Sequence, residues 1–281
     1  MGENMITLTN IAKRFGDKEV LKGISLKIET GEIFGLLGPS GAGKTTIIKI
    51  VTGQLRQSEG SAVVSGIDAT DLSGTSYCRM GIMMDQFGLY GRLSCYDNLK
   101  LFAKIYGIPE RRIKEVLEKV GLSEAKKRPV EKLSKGMRGR LALARAVMNE
   151  PSILFLDEPT SGLDPATTVL IHELILEERA KGTTVFLTTH NMAEAEKLCN
   201  HVALLHEGKL VEYGAPEEIC RRYNHKNGLQ IRLYDGRYLE IGNGRAAAEV
   251  IKAYLEQDMI ETIHSTEPDL EAVFMEVIEK R

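Results

Sequence analysis

Apolar and polar residues alternate in several rhythms along this chain. Ile6 and Leu8, then Val20, Ile24, Leu26 and Ile28, take turns with polar neighbours. That period belongs to strands with one wet face, so residues 5–28 predict antiparallel strands. Glu32–Leu37 is a short apolar run, the mark of a strand buried on both sides. A glycine-rich stretch follows, then a helix from about Lys44 to Thr52 with Gly53 as its C-cap. Leu99, Phe102 and Ile105, then Ile113, Val116, Leu117 and Val120, stand at helical spacing, and Pro109 divides them into two helices. Ser134–Met148 predicts another helix, with an apolar face of small residues. Ser152–Leu156 and Thr183–Thr188 read as further buried strands. Val202–Leu205 and Leu210–Glu212 flank a Glu207-Gly208-Lys209 turn and predict a hairpin. Strands alternating with helices imply an α/β fold with a mostly parallel sheet and an antiparallel N-terminal part.

The pattern changes past Arg222. Asn224–Gly228 is a polar linker, and Leu229–Ile241 alternates like a hairpin turning at Asp235-Gly236. Ala246–Leu255 and Pro268–Ile278 predict two helices, the second with Thr266 as N-cap. Residues 1–222 are therefore expected to form the main domain. Residues 223–281 are expected to form a small C-terminal α+β appendix.

Composition narrows the setting. With 43% hydrophobic and 27% charged residues, the 281-residue chain has an ordinary globular balance. A formal net charge of -2 argues against bulk electrostatic binding of nucleic acid. Cys78, Cys95, Cys199 and Cys220 are widely spaced and form no CxxC pair, as expected for reduced thiols. Met1–Lys13 has no long apolar run, so no signal peptide is expected. No stretch approaches the roughly 20 apolar residues that span a bilayer.

Chemistry enters at Gly38-Pro39-Ser40-Gly41-Ala42-Gly43-Lys44-Thr45-Thr46, which fits GxxxxGK[ST] between a buried strand and a helix. Glycines let backbone N–H groups curl around a phosphate, and the helix N-terminus adds partial positive charge. Lys44 should reach the β- and γ-phosphates, and Thr45 should place its hydroxyl on Mg²⁺. Ile153–Leu156 then ends in Asp157, Glu158 and Pro159. A strand carries such carboxylates to its C-terminal edge. Asp157 would hold Mg²⁺ through water, and Glu158 would polarise the attacking water. No late Asn-Lys-x-Asp segment reads guanine, which argues against a G protein.

Through most of residues 5–222 the sequence resembles the ABC ATPase family. Leu133-Ser134-Lys135-Gly136-Met137 stands where that family has its Leu-Ser-Gly-Gly-Gln signature. Ser161-Gly-Leu-Asp164 resembles the D-loop, His190 the switch histidine and Gln86 the Q-loop glutamine. The resemblance implies a P-loop NTPase core, with a mixed sheet, an antiparallel N-terminal subdomain and a helical subdomain at about 87–150. It implies an ATP site shared between two subunits. Phe15 would stack on adenine. Ser134, Lys135, Gly136, Met137 and Asp164 would act in trans on ATP held by the opposite chain. His190 would contact the γ-phosphate, and Gln86 would contact Mg²⁺ or the water and sense the transporter. Lys135 and Met137 depart from the common signature, and Lys135 puts a side chain where many relatives have none.

The Leu-Ser-Lys-Gly-Met form and the closing Glu267–Phe274 segment resemble type-2 exporter ATPases, the drug, antibiotic and peptide group. The implied partners are a second ATP-binding subunit, identical or paralogous, and an integral membrane permease on a separate chain. The implied place is the cytoplasmic face of a bacterial-type membrane. Leu89, Tyr90, Leu93 and Tyr96 are candidates to receive the permease. Three rival readings are an importer ATPase, a soluble ABC ATPase acting mechanically on nucleic acid or ribosomes, and a binding module that does not hydrolyse. One compact core argues against the mechanical reading, and intact Glu158 and His190 argue against the last.

Overall fold

The computed structural model describes residues 4–84 and 88–279. The chain divides into two compact units, one through Tyr213 and the other from Gly214 onward. Each is described by itself.

The first unit opens with the long strands β1 (Asn4–Phe15) and β2 (Lys18–Glu29), paired antiparallel. Ile6, Leu8, Leu21, Ile24 and Ile28 point into the core, as their alternation requires. β3 (Ile33–Leu37) is buried at all five positions and leads through the glycine loop to α1 (Lys44–Val51). β4 (Glu59–Val64) and β5 (Ile67–Asp68) complete a four-stranded sheet ordered β2-β1-β4-β5. The short α2 (Gly74–Tyr77) precedes β6 (Met80–Met83). Three helices come next, α3 (Cys95–Tyr106), α4 (Glu110–Lys119) and α5 (Lys135–Val147). Ser94 caps α3 through the Asp97 N–H. Pro109 separates α3 from α4, as its missing N–H and fixed φ dictate.

β7 (Ile153–Asp157), α6 (Pro165–Ala180), β8 (Thr184–Thr189), α7 (Met192–Leu198), β9 (His201–His206) and β10 (Lys209–Gly214) follow. The six-stranded sheet runs β10-β9-β3-β8-β7-β6. β3 pairs in parallel with β8 and β9, and β7 pairs in parallel with β8 and β6. Glu207 and Gly208 both have positive φ, +46° and +77°, which suits the two-residue turn between β9 and β10. Ile47, Ile48, Ile50 and Val51 of α1 share one core with Ile6, Ile24, Phe34 and Phe155. Each such side chain, fully buried, contributes roughly 1.5–3 kcal/mol. The helix that opens at the phosphate loop is thus anchored on both sheets.

The second unit contains α8 (Pro216–Arg222), β11 (Gly228–Leu233), β12 (Tyr238–Gly242), α9 (Arg245–Leu255), β13 (Ile260–Ser265) and α10 (Leu270–Glu279). Its antiparallel sheet is ordered β12-β11-β13, with Ile231 opposite both Leu239 and Ile263. Leu270, Val273, Phe274 and Val277 form the buried stripe of α10. Thr266 does not cap that helix. Its hydroxyl bonds the Gly228 backbone, and Asp269 accepts the Ala272 N–H instead. Among the described residues no helix is long and apolar enough to cross a membrane.

Candidate active site

The phosphate loop lies between β3 and α1, at the centre of the six-stranded sheet. Two of its glycines are required by geometry. Gly38 has φ +151°, and a Cβ there would collide with the Leu205 carbonyl. Gly43 has φ +114°, and a Cβ would stand 2.7 Å from Leu21 Cδ2. A cleft of about 290 Å³ opens in front of the loop. Ser40, Gly41, Gly43, Lys44, Thr45, Thr46, Asp157, Glu158 and Val20 line it. Pro39 is exposed and Ala42 buried.

Charges in this cleft face one another. Lys44 is 6% exposed and donates to the Gly38 carbonyl at 2.6 Å. Its Nζ also lies 3.2 Å from Glu158 Oε1. His190 Nδ1 lies 2.7 Å from Glu158 Oε2. Asp157, 1% exposed, accepts from Thr45 Oγ1 at 3.0 Å and from Thr188 Oγ1 at 2.6 Å. Glu158 has φ +52°, and its N–H is held by the Thr188 carbonyl at 3.1 Å. A non-glycine residue in that region stores about 1–3 kcal/mol of strain. The unusual backbone turns the chain just past the strand end, where Glu158 meets Lys44 and His190.

A hydroxyl and a carboxylate on adjacent elements, with open space beside them, suit Mg²⁺. That ion takes one or two protein oxygens and fills its shell with water and phosphate. Gly41 supports the same fit, since a Cβ there would meet nothing within 4 Å. The loop leaves that space for a phosphate.

A second cluster forms where α5 and α6 begin. Ser134 is the N-cap of α5 and accepts the Met137 N–H at 3.2 Å. Asp164 caps α6, taking the Thr167 N–H at 2.9 Å and the Thr167 hydroxyl at 2.7 Å. Those bonds, the backbone one first, hold its carboxyl below the ordinary value. Gly136 fits closely against Thr167 and Asp164, at 3.1 Å and 3.6 Å from where a Cβ would stand. Lys135 is exposed, with its Nζ over Gly162. No hydrogen bond or ion pair joins this cluster directly to the phosphate loop among the described residues. Phe15 is half exposed, with Lys13 Nζ 5.0 Å above its ring. Gln86 lies outside the described residues.

Sequence reasoning missed Thr188, which supports Asp157 and Glu158, and behind them the half-buried Thr160 and the buried His172, Thr189 and Glu194. Thr188 and Thr189 did offer a signal: two hydroxyls ending a buried apolar strand need partners.

A glycine cradle, a buried lysine, a hydroxyl–carboxylate pair and a second acid held by histidine define a P-loop nucleoside-triphosphatase. Comparison with known proteins says which. Residues 21–161 match the family described as "ABC transporter". A fluoroquinolones export ATP-binding protein of Mycobacterium tuberculosis is 37% identical, over 99% of this chain and 94% of its own. The linearmycin resistance ATP-binding protein LnrL of Bacillus subtilis is 35% identical, over 82% of this chain and 75% of its own. A solved ATP-binding subunit of an ABC transporter superposes with TM-score 0.72 at 28% identity, covering 78% of this chain and 93% of that one. A dimeric ATP-binding cassette in a post-hydrolysis state, bound to ADP and Pi, reaches 0.68 at 28% identity, covering 75% and 98%. The chain belongs to the ABC transporter family, as one of its ATP-binding, ATP-hydrolysing subunits.

Proposed function

We propose that this chain powers an exporter of drug, antibiotic or peptide type, closing with a second ATP-binding subunit around two ATP molecules and driving a separate membrane permease. The observation that carries the catalytic reading is the meeting of Lys44, Thr45, Asp157, Glu158 and His190 in one cleft. The export reading is supported by likeness along nearly the whole chain, appendix included, to a protein named for fluoroquinolone export.

The geometry suggests how the residues work. Lys44 is held against Glu158 until a γ-phosphate arrives to share it. Release of that contact frees the Glu158 carboxylate to accept a proton from an attacking water. His190, already touching Glu158, is placed to hold that water and the γ-phosphate in line. Thr45 and Asp157 would hold Mg²⁺, which supplies charge neutralisation on the phosphates. Half-exposed Phe15 would stack on adenine, and Gln86 is assigned to the metal or the water. Ser134, Lys135, Gly136 and Met137, with Asp164, would reach the γ-phosphate of the opposite chain. The helix N-terminus and its free N–H groups suit that task. Phosphate loss removes the shared charge, and the pair opens. Working with a permease would place the chain at the inner face of the membrane. Tyr90 and Leu93 are exposed and would be available to the permease.

Glu158→Gln tests the reading. The variant should bind ATP, form an ATP-dependent dimer and lose turnover by at least about 1000-fold. Wild-type ATPase activity in it would sink the assignment.

A further inference from the structure

Behind the two catalytic loops lies a buried cluster that the proposed chemistry does not use. Glu194, on α7, is 4% exposed. Its Oε1 accepts from Thr160 Oγ1 at 2.6 Å and from His172 Nε2 at 2.8 Å. Its Oε2 accepts from Thr189 Oγ1 at 2.7 Å. Burial alone would raise the pKa of this carboxyl. Bonds from His172, Thr160 and Thr189 outweigh burial and hold it below the ordinary value. Glu194 is thus an ionised acceptor serving three donors.

Each donor belongs to a different part of the site. Thr160 lies between Glu158 and Asp164. His172 is on α6, the helix that Asp164 caps. Its Nδ1 is buried with no hydrogen-bond partner among the described residues, so Nε2 carries the ring's hydrogen bond to the network. Thr189 directly precedes His190, and its Oγ1 also accepts the Asn191 N–H at 3.0 Å. The residues on both sides of His190 are tied in this way.

The β7–β8 ladder ends at Asp157 and Thr188. Past that point, besides the Glu158 N–H bond to Thr188, two ties join the loops among the described residues. One is the Glu158–His190 contact at the cleft, which bound nucleotide would engage. The other is Glu194, buried at the back and out of nucleotide's reach. Hydrogen bonds to a buried charge are strong and costly to leave unmade.

We propose that Glu194 is a positioning residue that locks the loop bearing Asp164 to the loop bearing His190, so that docking of a second chain at Asp164 sets His190 in line with the nucleotide. The inference rests on the roles of Asp164 and His190 given above.

A double-mutant cycle on the full chain tests it. Thr160→Val and Thr189→Val each delete one donor at nearly constant size. Each should lower kcat about ten-fold, while affinity for a fluorescent ATP analogue holds. Serine at either position should restore the rate, because the hydroxyl returns. The double variant should be no slower than the slower single one, since both arms act through one carboxylate. Losses that multiply to about 100-fold overturn the proposal, and so does a serine variant as slow as its valine counterpart. Glu194→Gln keeps the size and guards against a valine variant that does not fold. It should lower kcat and spare nucleotide affinity, and a wild-type kcat there also overturns the proposal. Glu158→Gln runs alongside. Turnover surviving in it condemns the site reading itself. An inactive Glu158→Gln beside multiplicative threonine losses condemns only the coupling.

Discussion

Two polar clusters sit on this chain, and they are built in opposite ways. In the cleft before α1 the charges already answer one another: Lys44 meets Glu158, Glu158 meets His190, and Asp157 takes two hydroxyls. Where α5 and α6 begin, the charged groups face out. Lys135 and Asp164 are exposed, and neither has an ion pair among the described residues. The first cluster gathers the groups to which the proposed function gives the reaction. The second is the open N-terminal end of a helix, which suits an anion. On that proposal the contrast is one of a site split between two chains. One cluster would keep its own nucleotide, and the other would serve a neighbour's.

The largest effects come from striking each cluster separately. Lys44→Ala removes the ammonium aimed at the phosphates and leaves Glu158 only His190. Turnover should fall by about 1000-fold or more, with weaker ATP binding. Ser134→Arg should leave ATP binding by the single chain intact and lower turnover about 100-fold, because the opposing donor is lost. Mixing the two variants sharpens the test. One site of the mixed dimer would carry both faults, and the other would join an intact Lys44 to an intact Ser134. Activity should return on mixing, as measured by steady-state phosphate release. Two inactive proteins that stay inactive together would break the comparison.

The next effect falls on the link between the clusters. Glu194 is ionised in the folded chain because its donors outweigh its burial. A carboxyl held lower when folded than when unfolded stabilises fully above the unfolded value of about 4.3. That contribution is lost as pH falls through the folded value. Glu194→Gln should therefore be less stable than wild type by about 1–2 kcal/mol at neutral pH. The gap should narrow below about pH 4. Glu178, also held low by Lys119 and Lys181 against its burial, remains in both proteins and cancels in the difference. Thermal melts at several pH values read the gap, and a gap that does not change with pH would count against an ionised Glu194.

Much of this was legible in the residues, for physical reasons. β3, β7 and β8 are buried on both faces, so their sequences read as unbroken apolar runs. The phosphate loop is legible because glycine is needed where backbone meets Leu205 and Leu21. The acids follow because strand ends carry them. Thr160, His172, Thr189 and Glu194 were illegible as a group. They lie on a turn, on α6, on β8 and on α7, and meet only through the packing of α6 and α7, which no local period encodes. β6 also escaped notice, being a four-residue strand whose pattern resembles any short apolar stretch. Thr266 misled because a threonine before a helix usually caps it, yet β11 claimed its hydroxyl.

The smallest effect concerns Lys135, the residue that departs from the common signature. It is the first residue of α5, where the helix dipole disfavours a cation, and the first turn holds no acid to offset it. Lysine there does nothing for the helix. Its Nζ lies over Gly162, in the loop that leads to Asp164, the residue proposed to meet a second chain. A positive charge at that corner would strengthen the pull on the opposing γ-phosphate. Lys135→Gln should therefore move two measurements in opposite directions. The melting temperature should rise by about 1–2 °C as the dipole conflict is relieved. The KM for ATP should rise about two- to five-fold at low salt, and that difference should fade near 0.5 M salt, where exposed charges are screened. A KM unchanged at low salt would assign Lys135 to the surface and leave the outward cluster to Ser134 and the backbone alone.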